Sequence, residues 1–449
     1  MINLLRKLIP DTHPIRLFYH KIMAMLAALR YWFPADKMIV VGITGTNGKT
    51  TTTNLITNIL HTAGFKVGMA STINFQVGEE RWTNIAKQTT ASPFVLQKLL
   101  RHMVKNGCQY AVLEVTSHAI TQSRIFGINF DVGVITNVTP DHVEYHGNFN
   151  AYLNTKGELF RKVSKGRRKF GVPKVLVLNA DDQYYNYFDQ FISDRKITYG
   201  LNQATVFAAN IEKNPAGSHF VMHVPNNSIA MELHMPGEFN ISNALAAASV
   251  AISLQVPLEV IRQGLMDSKA VAGRFEHVDC GQKFSVIVDY AHDTVALENL
   301  LSLYRKLTPG RLFSVFGATG GGRDKSKRHI MGEIADKYAD YIVLTDDDPY
   351  EEDEWQIIEQ VSKGVSRQEG QNFWKIPDRR EAIRLALTLA REGDSVVISG
   401  KGCEEVMKVR GKTIEWNDRH VVKTLLEREI EVEIYPDHFE RRENVCKTS

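Results

Sequence analysis

Gly45, Gly48, Lys49 and Thr50 have the types and spacing for chemistry on phosphate. They lie in Gly42-Ile43-Thr44-Gly45-Thr46-Asn47-Gly48-Lys49-Thr50-Thr51, after the β-branched run Met38 to Thr44 and at the head of a helical pattern from Thr50 to Ala63 that Gly64 stops. Glycines let backbone N–H groups approach phosphate oxygens, and a helix N-terminus adds partial positive charge. Lys49 would neutralise the outer phosphates, and the Thr50 hydroxyl would reach Mg²⁺. The general phosphate loop separates its glycines by a longer stretch, whereas Gly45 and Gly48 are only three apart. A second charged group fits the same site: Glu114 closes the apolar run Tyr110 to Val115. A carboxylate at the carboxyl end of a strand, beside the strand that feeds a phosphate loop, is where a Mg²⁺ ligand belongs.

The short loop Thr44 to Thr51 resembles the nucleotide loop of the Mur ligase family, and further matches follow in order as far as Arg419. The resemblance implies an ATP-dependent ligase that joins an amino acid to a carboxylate through an acyl phosphate. It implies that Gly45, Thr46, Asn47, Gly48, Lys49, Thr50, Thr51 and Asn137 hold the nucleotide phosphates. Asn240 and Asn243 would lie at the adenine, Arg274 at the γ-phosphate and Asp289 at the ribose. Two Mg²⁺ sites would draw on Thr50, Glu114, His142 and Lys156. The family's lysine in the segment Tyr152 to Phe160 is carbamylated by CO₂, which assigns that role to Lys156. The chemistry is coherent: only a neutral amine attacks CO₂, burial near cations lowers a lysine pKa, and carbamate oxygens suit Mg²⁺. Lys49, His142 and Lys156 are thus the expected catalytic groups.

Substrate residues follow from the same resemblance. Thr89 and Thr90, with Thr116, Gln122 and Arg124, match positions that contact a muramyl-peptide acceptor. Arg323 would bind the α-carboxylate of the incoming amino acid, with Gly400 and Glu404 on the opposite wall and Cys403 where the family usually has His. Asp347, Asp348 and Tyr350 stand in Asp347-Asp348-Pro349-Tyr350, where diaminopimelate-adding members show Asp-Asn-Pro-Arg. Tyr350 has no positive charge to meet a distal carboxylate, and Asp348, inside an acidic run, would favour a cationic side chain. L-Lysine is therefore expected ahead of meso-diaminopimelate.

The elements that must position these groups are α/β throughout. Tyr110 to Val115, Val132 to Asn137 and Lys174 to Asn179 read as short buried strands, alternating with helices as in a parallel sheet. Hairpins are expected between Ala204 and Met235. A second series follows, with strands at Phe284 to Asp289, Leu312 to Phe316, Tyr341 to Thr345 and Ser395 to Ser399, and a helix over Arg379 to Arg391. The expected organisation is a short helical segment (1–37), a parallel-sheet ATPase domain with a phosphate loop (38–270) and a Rossmann-like α/β ligase domain (271–449). A chain of 449 residues exceeds what one core usually serves.

Composition excludes several classes. A net charge of +3, without a long basic run, gives no nucleic-acid signal. Cys108, Cys280, Cys403 and Cys446 form no CxxC pair, so neither a disulfide framework nor the zinc ribbon of a ligase-like amidotransferase subunit is indicated. A monomer in a reducing cytoplasm is the expectation. Folylpolyglutamate and cyanophycin-type ligases share the chemistry, but Glu114-Val115-Thr116-Ser117-His118 favours the muramyl branch. An inactive scaffold would have lost Lys49, Glu114, His142 or Lys156, and all are present.

The N-terminal segment is the main departure from the family. The 37 residues before Met38 are too few for the domain with which tripeptide-forming members grip uridine diphosphate, so either UDP is held by other surfaces or the acceptor is lipid-linked or free. Ile15 to Phe33 carries Arg16, Lys21 and Arg30 and makes a poor membrane span. No signal-peptide cleavage site follows it. Its stripe Ile15, Phe18, Ile22, Leu26, Leu29 and Phe33 is expected to pack on the body of the protein, with contact to a membrane surface as the alternative.

Overall fold

The computed structural model describes residues 12–84, 89–141, 143–169, 171–214, 217–268, 273–321 and 325–434. Gln88, His142, Pro215, Ala216, residues 269–272, and Gly322, Arg323 and Asp324 lie outside them, among them the expected hairpin turn at Pro215-Ala216 and most of the expected domain boundary. The chain divides into two compact units, Met1–Lys269 and Ala270–Ser449.

Unit one is built on an eleven-stranded sheet. Its strands are β1 (Ile39–Thr44), β2 (Val67–Ala70), β3 (Asn74–Val77), β4 (Glu80–Thr83), β5 (Tyr110–Glu114), β6 (Val132–Ile135), β7 (Val175–Asn179), β8 (Arg195–Gly200), β9 (Val206–Asn214), β10 (Gly217–Val224) and β11 (Asn227–Leu233). The order is β11-β10-β9-β8-β7-β6-β1-β5-β2-β3-β4. From β9 to β2 neighbours are parallel, and antiparallel hairpins finish both edges. Strands β1, β5, β6 and β7 are buried almost throughout, which is why they read as unbroken apolar runs. Each face carries its own core. One lies under the helices Lys49–Thr62 and Glu238–Ser253, the other under Pro93–Lys105 and Phe149–Lys165. The alanine-rich helix Glu238–Ser253 fits there because small side chains let helices and sheet approach closely.

Because β1 lies between β5 and β6, the C-terminal ends of all three open onto one edge of the sheet. The phosphate loop leaves β1, Glu114 ends β5, and Thr136 and Asn137 follow β6. The topology thus gathers residues distant in sequence where ligands of open α/β sheets bind.

Unit two holds a six-stranded sheet in the order β12-β13-β17-β14-β15-β16. These strands are β12 (Glu276–His277), β13 (Ser285–Asp289), β14 (Leu312–Phe316), β15 (Tyr341–Leu344), β16 (Phe373–Lys375) and β17 (Ser395–Ser399). All pair in parallel except β12. A small hairpin, β18 (Val406–Val409) with β19 (Lys412–Glu415), follows.

Unit two is pinned by a buried ion pair. Arg379 donates from Nε and Nη2 to the two oxygens of Asp418, at 2.8 and 2.7 Å, and both side chains are fully buried. Arg379 also donates to the carbonyls of Asp346 and Ser399, and the Trp416 indole N–H donates to Asp418. Removing one member strands a buried charge, so Asp418→Ala is expected to destabilise this unit by about 3–5 kcal/mol. Urea denaturation checks this. The double variant Arg379→Met/Asp418→Leu should lose clearly less, because no unpaired charge remains.

The N-terminal helix Pro14–Tyr31 reverses one expectation. Its body-facing side is small, with Ala24, Ala27 and Ala28 buried, while Ile15, Phe18, Ile22, Leu26 and Leu29 face away and are exposed. A Cβ at Gly127 would stand 2.6 Å from the Ala28 Cβ, so the helix and the Gly127 backbone are in close contact at Ala28. Of the expected stripe, Phe33 alone turns inward, since Trp32 and Phe33 adopt left-handed backbone (φ 59° and 45°) that ends the helix before Pro34.

Candidate active site

The phosphate loop is held by backbone and side-chain contacts from the segment after β6. Gly45 (φ 152°) and Gly48 (φ 83°) adopt conformations that disfavour a side chain, and space forbids one as well. A Cβ at Gly45 would stand 1.8 Å from Thr136 Oγ1, and one at Gly48 2.3 Å from Asn243 Oδ1. The Thr46 N–H donates to the Asn137 carbonyl at 2.8 Å, and the Asn47 N–H to Asn137 Oδ1 at 2.9 Å. Asn137 returns the contact by donating to the Asn47 carbonyl, as does Thr136. Asn137 therefore braces the loop.

Two lysines converge inside this loop. Lys49 opens the helix Lys49–Thr62 and folds back to donate to the carbonyls of Gly45 (3.0 Å) and Thr46 (2.7 Å). Lys156, on Phe149–Lys165, donates to the same Gly45 carbonyl at 2.7 Å and lies 4.4 Å from the centre of the Tyr152 ring. Lys156 is only 2% exposed. Burial, and then the charge of Lys49, hold its pKa well below the ordinary lysine value, against the opposing pull of Asp141 and Asp182. His146 stands in the same surroundings, its ring 5.4 Å from that of Tyr152. Burial first, and the Lys156 charge second, push it down to about 4.

Glu114 is buried at the end of β5. Its Oε2 accepts from both the N–H and the hydroxyl of Thr72, each at 2.6 Å. Its Oε1 has no hydrogen-bond partner among the described residues. The Thr50 hydroxyl reaches Thr72 Oγ1 at 3.4 Å, so Thr50, Thr72 and Glu114 form one chain of oxygens. A buried carboxylate oxygen without a donor, beside a threonine hydroxyl, fits a hard oxygen-seeking cation. The donor set therefore fits Mg²⁺ at Thr50 and Glu114. No cluster of three or more His, Cys, Asp or Glu suited to a metal occurs among the described residues, and His142 is not among them.

Thr72 was not foreseen from the sequence. It follows β2, and β2 lies beside β5 in register, Ala70 opposite Leu113. That pairing alone carries Thr72 to Glu114, and no local motif announces it. His146 and Tyr152 likewise enter the site only through packing.

The expected acceptor residues come together around Glu114. Thr90 Oγ1 donates to the Glu114 carbonyl at 2.9 Å and accepts from the Thr116 N–H. Arg124 donates to the Thr90 carbonyl at 2.7 Å and grips Gln122 Oε1 through Nε and Nη2, while Gln122 donates to the Tyr145 hydroxyl. Thr89 Oγ1 accepts from Thr72. Toward the adenine side, Asn243 neighbours Gly48 and accepts from the Thr52 hydroxyl. Asn240 is buried, and its amide donates to the Pro236 carbonyl, which makes it a brace for the helix start.

In unit two, Asp289 is buried, which pushes its pKa up. Its oxygens accept from the N–H groups of Phe275 (2.8 Å) and Ala291 (2.7 Å). The Arg274 guanidinium stacks on the Tyr290 ring, 4.7 Å from its centre. Asp348 corrects an expectation. It carries no unmatched charge for a substrate cation, because the fully buried Lys401 donates to it at 2.8 Å and the Lys408 N–H donates to it as well. Lys401 also pairs with Glu404. The acidic group left over is Asp347: its Oδ2 is buried without a hydrogen-bond partner among the described residues, and burial pushes its pKa up. A Cβ at Gly400 (φ 110°) would lie 2.5 Å from that oxygen. Tyr350 joins the β18–β19 hairpin through its backbone and lays its ring on Gly321. Arg323 lies outside the described residues.

Comparison with known proteins agrees with this geometry. Residues 43–251 match the Mur ligase middle domain, and residues 273–402 the glutamate ligase domain of Mur ligases. The chain is 40% identical over 402 residues to the UDP-N-acetylmuramoyl-L-alanyl-D-glutamate–2,6-diaminopimelate ligase of Geobacillus kaustophilus, covering 89% of this chain and 81% of the relative. It is 39% identical over 407 residues to a UDP-N-acetylmuramyl-tripeptide synthetase of Roseiflexus, covering 88% and 80%. A solved structure of a UDP-N-acetylmuramoyl-L-alanyl-D-glutamate–2,6-diaminopimelate ligase superposes with a TM-score of 0.62 at 30% identity, covering 87% of this chain and 79% of that one.

Proposed function

The chain belongs to the Mur ligase family of ATP-dependent amide-bond ligases, and on that premise we propose that it adds the third amino acid to a muramoyl-L-alanyl-D-glutamate acceptor in peptidoglycan precursor synthesis. The observation that carries the reading is the convergence of the Lys49 and Lys156 side-chain nitrogens on the Gly45 carbonyl, inside a glycine loop at a helix N-terminus. Such a loop suits the ATP phosphates, with Lys49 as their cationic partner. Lys49 then neutralises phosphate charge as it moves to the acceptor carboxylate, which reacts as an acyl phosphate with the incoming amine. Thr50 and Glu114 would hold Mg²⁺, which supplies charge neutralisation at the phosphates. Lys156, whose pKa burial holds well below the ordinary lysine value, would be the group to take up CO₂ as a carbamate and become an anionic oxygen donor for a second Mg²⁺. Thr90, Thr116, Gln122 and Arg124 would orient the acceptor, with Arg124 turning to a substrate carboxylate or phosphate on binding.

The incoming amino acid in this reading is L-lysine. Asp347 keeps a buried oxygen without a hydrogen-bond partner among the described residues, and Tyr350 supplies no charge for a distal carboxylate. A second reading, meso-diaminopimelate, is favoured by the similarity to 2,6-diaminopimelate ligases. Phosphate release by the purified monomer separates them, with Mg²⁺, ATP, UDP-N-acetylmuramoyl-L-Ala-D-Glu and one amino acid at a time. Release requiring both the acceptor and L-lysine is expected. Release with meso-diaminopimelate alone would transfer the assignment to that amino acid. No release with either would sink the UDP-linked acceptor and move the assay to lipid-linked and free muramyl peptides, and to the glutamate acceptors of folylpolyglutamate-type ligases.

A further inference from the structure

The helix Pro14–Tyr31 turns its large apolar side chains to solvent and its small ones to the protein. Phe18 is 65% exposed, Leu29 57% and Trp32 80%, while Ala24 is 1% exposed. Ile15, Ile22 and Leu26 complete the same outward face. At helical spacing these residues span roughly a third of the helix circumference. This is not a helix frayed from its partner: Ala24, Ala27 and Ala28 are fully packed, and the Gly127 backbone leaves no room for a larger side chain at Ala28.

Charge identifies what covers the face. Going round the helix, Arg30 and Arg16 follow the apolar face on one flank and Lys21 on the other. No Asp or Glu occurs between Thr12 and Ala35. Tyr19 and Trp32 add rings with an apolar body and a polar edge, which favour the boundary between hydrocarbon and water. A second copy of the chain would set these cationic flanks against each other, whereas an anionic lipid surface neutralises them. Among the described residues no helix is long and apolar enough to cross a membrane, so the helix would lie along the surface.

We propose that the helix Pro14–Tyr31 docks the protein onto an anionic lipid bilayer, with Ile15, Phe18, Ile22, Leu26 and Leu29 entering the headgroup boundary and Lys21 and Arg30 meeting lipid phosphates. Gly127, on which the helix rests, lies three residues after Arg124. Docking would therefore hold the segment that bears the expected acceptor residues close to the membrane. The proposal is independent of whether the acceptor is lipid-linked, because its test does not use the ligase reaction.

The test is flotation of the full chain with vesicles of phosphatidylcholine alone or mixed with phosphatidylglycerol. Flotation with the mixed vesicles only, weakened by added salt, is expected. Phe18→Glu/Leu26→Glu should reduce it at least tenfold, and Lys21→Glu/Arg30→Glu should abolish the preference for the anionic lipid. Both variants should keep the parent's thermal unfolding midpoint and phosphate release. Failure of the parent to float, or flotation unchanged in both variants, overturns the proposal. A parent that elutes as a dimer which Phe18→Glu/Leu26→Glu dissociates also overturns it, and assigns the face to a second copy.

Discussion

Lys156→Ala is expected to lower kcat for ATP-dependent ligation by about a thousandfold while leaving the fold intact, a loss typical of removing one preorganised electrostatic contact from a reacting centre. The side chain is buried and donates to the Gly45 carbonyl, next to Lys49, whose charge disfavours a second ammonium there. A lysine serving stability alone would be badly placed there, since burial and the Lys49 charge outweigh the pull of Asp141 and Asp182. Alanine should therefore cost the unfolding midpoint little. In the unsubstituted protein, activity should fall when the buffer is stripped of CO₂ and recover on adding bicarbonate. Steady-state phosphate release and a thermal melt check both halves. A variant with full activity, or a parent indifferent to bicarbonate, would remove Lys156 from the chemistry.

The parts of this site that were legible in the sequence are those whose chemistry is local. Gly45, Gly48, Lys49 and Thr50 announce themselves because a loop between strand and helix must be glycine-rich to expose its N–H groups. Glu114 could be read because a carboxylate at the end of an apolar run is unusual. The strands were legible where burial on both faces leaves unbroken apolar runs, as in β1, β5 and β7. Thr72 was not legible: it reaches Glu114 only because β2 and β5 pair in one particular register. Asp348 looked like a free acid because Lys401, which matches it, is 53 positions away. The helix Pro14–Tyr31 shows a further limit. Periodicity reveals that an apolar face exists, but the direction it points was decided by three alanines and the close approach of Gly127.

Lys49→Ala should be the more damaging of the two lysine changes, lowering kcat/KM for ATP by a thousandfold or more, on the order of 4 kcal/mol of lost transition-state stabilisation. Lys49 sits at the first position of its helix, after Gly48 in left-handed backbone, and its ammonium curls over the carbonyls of Gly45 and Thr46. From that position it would neutralise phosphate charge throughout transfer, whereas Lys156 would act only through a carbamate formed on it. The two variants should also differ in a second measurement. Lys156→Ala is expected to retain most of the thermal stabilisation that Mg²⁺ and ATP give the parent, and Lys49→Ala to lose most of it. The pair is not expected to be additive. Both side chains meet at the Gly45 carbonyl, and loss of Lys49 removes a charge that helps hold the Lys156 pKa down. Lys49→Ala should therefore also raise the Lys156 pKa and weaken its uptake of CO₂. The double variant should then be little worse than Lys49→Ala alone; a full multiplication of the two losses would mean that the lysines act independently.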